Sequence, residues 1–171
     1  MELKDAIRKR ESVRDFEDKP VPEDKLLRIL EAARLAPSAS NRQAWKFIIV
    51  RDAVKRRELA KAAGGQHHVA AAPVVIGAVA TMPQRVMSCG VPAYAVDLGI
   101  AMDHITLAAA DEGLGTCWIG AFSQEKAREI LHVPASCKVV TIMPLGYPGQ
   151  AGGTKSRKSL DEIVCYETYK E

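Results

Sequence analysis

Residues 93–112 read AYAVDLGIAMDHITLAAADE, and this run decides the fold. It predicts a long helix that is apolar around nearly its whole circumference, and such a helix belongs at the centre of a core. The stretch Gly113-Leu114-Gly115 ends it. Beyond lie a short strand over Thr116–Ile119, a helix capped by Ser123 and running to about His132, and a strand over Lys138–Leu145. Working back, Pro73–Ala80 (PVVIGAVA) reads as a strand buried on both faces. Asp52 caps a helix that ends at Gly64–Gly65, and Trp45–Val50 is a buried strand of bulky and β-branched residues. Pro22 opens a helix in which Leu26, Ile29, Leu30, Ala33 and Leu35 recur at helical spacing until Pro37. Ser12–Val21 is extended, and residues 2–10 form a helix with Leu3, Ala6 and Ile7 on one apolar face. Helices and strands alternate loosely, as in one α/β or α+β domain.

Four short strands around one apolar helix make a modest core. The apolar and aromatic residues Ile163, Val164, Tyr166 and Tyr169 find no evident partner within one subunit. A homodimer that exchanges terminal segments would bury them.

The 171 residues suit one domain, with hydrophobic residues at 47% and charged residues at 26%, a balance that argues against disorder. A net charge of +3 is too mild to indicate a nucleic-acid partner, and no segment has the length and apolarity of a membrane span. Cys89, Cys117, Cys137 and Cys165 are widely spaced without a CxxC pair, which disfavours zinc and iron–sulfur sites. The expected location is cytoplasmic, with reduced thiols and at least Cys117 and Cys137 in the core.

Four constellations carry candidate chemistry. In Arg10-Glu11-Ser12-Val13-Arg14, Arg10, Ser12 and Arg14 alternate, so an extended segment sets two guanidinium groups and a hydroxyl on one face. That set suits a phosphate, and it equally suits a solvated basic surface. The loop Pro37-Ser38-Ala39-Ser40-Asn41-Arg42-Gln43 offers short hydroxyl and amide groups to a polar ligand edge, or is an ordinary turn. In Gly113–Gly120 (GLGTCWIG) the glycine spacing does not match a dinucleotide fingerprint, though Gly120 would let a flat ligand approach the backbone. Lys155-Ser156-Arg157-Lys158 follows Gly152-Gly153 and either closes on an anion or keeps a tail soluble. The adjacent His67 and His68 make no metal site, and His104 reads as a satisfied core or interface histidine. No GxSxG, Walker or HExxH motif appears, which fits an enzyme whose cofactor carries the chemistry.

Taken in order, IRKRESVRDFEDKPV, LEAARLAPSASNRQAWKFIIV, APVVIGAV, AVDLGIAMDHITLAAADEGLGTCWIG, LGYP and KSRKSLDEIV resemble the FMN-dependent nitroreductase family over nearly the whole chain. The resemblance implies an α+β fold: a central, mostly antiparallel sheet flanked by helices, in an intertwined homodimer with FMN at the subunit interface. It implies that Arg10, Ser12 and Arg14 hold the ribityl, phosphate and pyrimidine side, joined by Lys155 and Arg157 on the phosphate. Pro37, Ser38, Ala39, Ser40 and Asn41 match the loop that the partner lends to the same flavin. Ile119 and Gly120 match the strand end beside the ring, where the Gly120 N–H faces flavin N5, and Gln66 and Asp97 are looser matches near it. Glu11 departs from the basic or histidine residue often found there. Its carboxylate is expected to point away from the phosphate, with at most its backbone near the ligand.

The implied activity is hydride transfer from NADH or NADPH to FMN and onward to nitroaromatics, quinones or similar small acceptors. No side chain is assigned as catalytic, and no nucleic acid, membrane or metal partner is expected. Within the family, flavin destruction and reductive dehalogenation are alternatives, as is flavin binding without turnover. Residues 82–92 (MPQRVMSCGVP) stand where larger members carry a helical insertion over the flavin, so the acceptor stays open.

Overall fold

The computed structural model describes residues 1–149 and 156–170. In chain order it runs α1 (Leu3–Lys9), α2 (Glu23–Arg34), a 3₁₀ turn (Ala39–Asn41), β1 (Trp45–Val50), α3 (Ala53–Ala62), α4 (His67–Ala71), β2 (Val74–Ala80), α5 (Ala93–Asp111), β3 (Gly115–Thr116), α6 (Gln124–Ile130), β4 (Lys138–Gly146) and a last 3₁₀ turn (Leu160–Glu162). The four strands form one sheet in the order β1-β2-β4-β3, and every neighbouring pair is antiparallel.

β2 organises two cores because its side chains alternate between faces. Val74, Ile76, Ala78 and Ala80 point towards α2 and α5, where they meet Leu26, Ile29, Leu98, Met102 and Ile105. Val75 and Val79 point the other way, against Leu59, Val69, Ala127 and Leu131 of α3, α4, α6 and the α6 end. The result is three layers, an α+β arrangement with helices on both faces of an antiparallel sheet. At Gly77 a Cβ would come 3.0 Å from Leu131 Cδ1, so the small residue admits the α6 end to the sheet. A bulge between Ala78 and Val79 shifts the β2–β4 register. On β4, Thr141 is buried and satisfied: its hydroxyl donates to the Ile119 carbonyl at 2.9 Å.

Several local expectations need correction. β1 spans the expected residues but is an edge strand, half-buried over most of its length, because among the described residues nothing pairs with its outer side. α5 lies against one face of the sheet rather than inside it. Its buried side is Ala93, Asp97, Leu98, Ala101, Met102, Ile105 and Ala109, while Val96 is exposed. On α1 only Ala6 is buried, and Leu3 and Ile7 face outward. α4 was not expected; its five residues between Gly65 and Pro73 are too few to display a helical period. Residues 86–92 fold back on themselves, with Val86 paired to Pro92 and the Met87 N–H donating to the Val91 carbonyl at 2.9 Å.

Asp52 and Ser123 do cap α3 and α6, accepting from the Lys55 and Lys126 amides. Cys117 is buried, and Cys137 packs partly buried against the same core. Among the described residues no helix is long and apolar enough to cross a membrane.

Candidate functional site

α1 ends at Arg10, where the backbone turns to φ −50° and ψ 127° and the chain continues extended. Ser12 then pairs in parallel with Thr116, and the Val13 N–H donates to the Thr116 carbonyl at 2.9 Å. This short segment therefore extends the β3 edge of the sheet. Val13 turns inward and is buried, so Ser12 and Arg14 turn outward and are exposed. The close approach has a cause in Gly115. A Cβ there would stand 2.4 Å from Val13 Cγ2, so only glycine lets the segment dock.

Glu11 and Val13 line a cavity of about 160 Å³ with Leu114 and Thr116, its rim formed by Lys9 and Arg10. Arg10 and Glu11 both line it, whereas Ser12 and Arg14 do not.

From β3 the chain runs through buried Cys117, exposed Trp118 and buried Ile119 to exposed Gly120. Burial pushes the Cys117 thiol above its ordinary pKa, against an opposing pull from Arg14, so it stays protonated at neutral pH. Gly120 differs from Gly115. The nearest atom to a Cβ at Gly120 would be Trp118 Nε1 at 3.9 Å, so the protein's own packing does not demand glycine there. Gln66 caps α4 and its amide donates to the Ala63 carbonyl at 3.0 Å and the Ala121 carbonyl at 3.4 Å. Gln66 is thereby tied to the residue after Gly120.

His68, read with His67 as no metal site, follows Gln66 in α4 and is buried. It is 4% exposed, and its Nε2 has no hydrogen-bond partner among the described residues. Burial first, then His67 and Arg14, hold its pKa below the ordinary imidazole value, so it is neutral at pH 7. The legible signal was its place two residues after Gln66. No cluster of three or more His, Cys, Asp or Glu that could hold a metal occurs among the described residues.

The second loop is built elsewhere. Ser40, Asn41 and Gln43 take left-handed backbone angles, φ 55°, 53° and 52°. Non-glycine residues adopt these only when their surroundings impose them. Ser38 Oγ accepts from the Gln43 N–H at 2.9 Å, and the Gln43 amide donates to the Asn41 carbonyl at 3.1 Å. Asp97, 6% exposed, accepts from the Ala39 N–H at 2.9 Å. Asp97 thus anchors the Pro37–Asn41 loop to the first turns of α5. The Ser12–Arg14 segment sits at the other end of that helix, against Gly115. With a rise of 1.5 Å per residue the two lie on the order of 20 Å apart within one subunit.

Lys155 lies outside the described residues. Arg157 is exposed and donates to its neighbour's carbonyl, Ser156 O, at 2.7 Å. All residues from 156 to 170 are exposed, including Leu160, Ile163, Val164, Tyr166 and Tyr169. The structure therefore pairs Ser12 with the strand that leads on to Ile119 and Gly120, ties Gln66 to Ala121 just beyond, and holds the Pro37–Asn41 loop with Asp97 at the other end of α5, while Arg157 bonds to its neighbour Ser156. His104 is half-buried with Nδ1 3.1 Å from the Ala32 carbonyl, as a satisfied histidine should be.

The nitroreductase family model matches residues 7–81 and 62–147. The chain belongs to the nitroreductase family. A protein of Thermus thermophilus named NADH dehydrogenase is 32% identical over 97% of this chain and 96% of its own length. An FMN-dependent nitroreductase from Clostridium difficile superposes with a TM-score of 0.85 at 30% identity, covering 96% of this chain and 98% of that one. An NADPH:FMN oxidoreductase from Vibrio harveyi, solved in complex with NAD+, superposes with a TM-score of 0.91 at 29% identity over 99% of this chain and 78% of its own.

Proposed function

We propose that this nitroreductase-family protein is an FMN-dependent oxidoreductase, one domain per subunit, that draws electrons from NADH or NADPH. It passes them to nitroaromatics, quinones or similar electron-poor acceptors. The observation that carries this is the parallel pairing of Ser12 with Thr116. It sets an outward hydroxyl and guanidinium beside the strand that leads to Gly120, and Gln66 bonds to the Ala121 carbonyl just beyond. The residues fit the cofactor: Arg14 makes no hydrogen bond or ion pair among the described residues, and the face above Gly120 is open to a flat ring.

Bound FMN supplies a ring that accepts hydride and releases electrons. Ser12 and Arg14 bind its polar edge, and the Arg14 charge favours the reduced state by offsetting added negative charge. Arg10 and Arg157, with Lys155, hold the phosphate by paired donors. Ile119 and Gly120 bound the ring, and Gln66, fixed by Ala121, orients it. Glu11 contributes at most its backbone. No side chain is required to carry the transferred proton.

The working unit in this proposal is a homodimer. One subunit holds its Pro37–Asn41 loop about a helix length from its own Ser12–Arg14 face, so a second copy supplies that loop to the flavin. Outward Leu3 and Ile7 of α1, exposed Val96 of α5 and the apolar tail supply the surface such a pairing buries.

The test is direct. Purified protein is expected to be yellow, to bleach with NADH or NADPH, and to run at twice the subunit mass. Colourless protein that neither binds added FMN nor gains thermal stability from it would overturn the proposal. Yellow protein that neither nucleotide bleaches would leave flavin binding without turnover, the reading next in line.

A further inference from the structure

Two buried side-chain nitrogens lack a hydrogen-bond partner among the described residues, Arg128 Nε and His68 Nε2. Arg128 belongs to α6, whereas His68 stands behind the proposed flavin edge, and an unpaired buried polar atom there calls for an explanation. His68 and Ala72 are four residues apart and share one side of α4. Ala72 is buried against Val13 and Phe16, so this side of α4 faces the inner surface of the segment that presents Ser12 and Arg14 outward. The Arg14 charge acts on both His68 and Cys117.

We propose that His68 is a redox-linked proton acceptor, neutral behind Arg14 while bound flavin is oxidised and protonated from solvent when the flavin is reduced. The proposal rests on the flavin reading above and goes beyond it. In the tautomer that carries its proton on Nδ1, Nε2 holds a lone pair facing no donor, and this is where the proton arrives. Arg14 on the docked segment and His67 on α4 itself act on it electrostatically, and Arg56 of α3 donates to the Ala70 and Ala72 carbonyls at the end of the same helix. None of these is a carboxylate. In this proposal the negative charge that offsets an imidazolium is the one delivered by the ligand.

The step balances. A dihydronicotinamide C–H bond breaks and hydride carries two electrons and one proton to the flavin, which gains one negative charge. Separately, one proton moves from solvent to His68. The added negative charge offsets Arg14, the like charge that, with burial and His67, disfavours imidazolium. Because His68 is covered, it touches no ligand and acts through Arg14, as a positioning residue for charge.

The experiment is the midpoint potential of the FMN-loaded protein from about pH 5 to about pH 8, the range of imidazole titration. Wild type is compared with His68→Gln, which keeps a polar amide, and His68→Phe, which keeps the ring volume. In wild type the reduction equilibrium is expected to gain one extra factor of ten per pH unit over part of this range, about 30 mV for a two-electron couple. Both variants are expected to lose that extra slope while binding FMN within about threefold of wild type. A role in packing alone would lower the thermal midpoint or displace the potential equally at every pH. Parallel lines for wild type and His68→Gln would overturn the His68 proposal and leave the flavin reading standing. Failure of wild type to bind FMN would overturn both.

Discussion

The two basic ends of the chain look alike in sequence and behave differently in the fold. The Ser12–Arg14 segment is docked: a backbone hydrogen bond to Thr116 fixes it, and buried Val13 locks into the space left by Gly115. The segment 156–170 carries Arg157 and a row of apolar side chains, yet all of it is exposed. In the proposed phosphate grip one half is thus pre-formed within a subunit, and the other needs an additional surface. A charge-assisted contact from a fixed donor is worth more than one from a donor that must first be ordered, because ordering costs conformational entropy.

The largest effect is expected from removing the second end altogether. A chain stopping at residue 155 should run as a monomer and retain no FMN through gel filtration, while keeping its far-ultraviolet circular dichroism. A yellow dimer from this truncation would mean that the docked end suffices. Next, Arg10→Ala combined with Arg157→Ala should weaken FMN binding at least about a hundredfold. Two charge-assisted contacts of roughly 1.5–3 kcal/mol each support that figure. Equilibrium fluorescence titration measures it, and an unchanged affinity would place the phosphate elsewhere.

A third change sharpens the docked side alone. Gly115→Ala pushes a Cβ into Val13 and should cost about 1–3 kcal/mol in urea unfolding, with FMN affinity falling as Ser12 and Arg14 shift. Gly120→Ala is its counterpart: stability should stay within about 0.5 kcal/mol, because no protein atom is crowded, while FMN affinity falls. Equal losses of stability at both glycines would erase the distinction drawn between them.

The smallest effect comes from a control remote from both ends. Arg28, with Lys25, holds the Glu112 carboxyl below its ordinary pKa, and this links α2 to the end of α5. A depressed folded-state pKa adds stability above the ordinary carboxylate range and loses it as pH falls through the depressed value. Glu112→Gln should therefore lower the thermal midpoint slightly at neutral pH. The difference should close below about pH 3, with flavin affinity unmoved throughout. A gap that persists in strong acid would mean that Glu112 stabilises by packing alone.

Much of this was legible in the residues. Trp45–Val50 and the bounds of α5 could be read almost to the residue, because β-branched runs and Gly-X-Gly stops act locally. The edge position of β1 could not, since what covers a strand is settled by residues far along the chain. The same applies to Gly115: it reads as part of the helix stop, yet Gly113 ends α5 while Gly115 opens β3, and its contact with Val13 spans a hundred residues. Asp97 was placed near the ring by likeness, and the structure shows it bonded to the Ala39 amide, a pairing no spacing rule supplies. His68 escaped because an imidazole's burial is a property of the packed molecule.

The strand order carries a further consequence during synthesis. β2 is wholly apolar and sits inside the sheet, but on one side its neighbour is β4, which the ribosome makes only after α5, β3 and α6. Until residue 146 has emerged, the nascent chain can pair β2 with β1 alone, leaving one long hydrophobic edge unpaired. That interval, rather than the finished protein, is where chaperone demand and aggregation during overexpression concentrate.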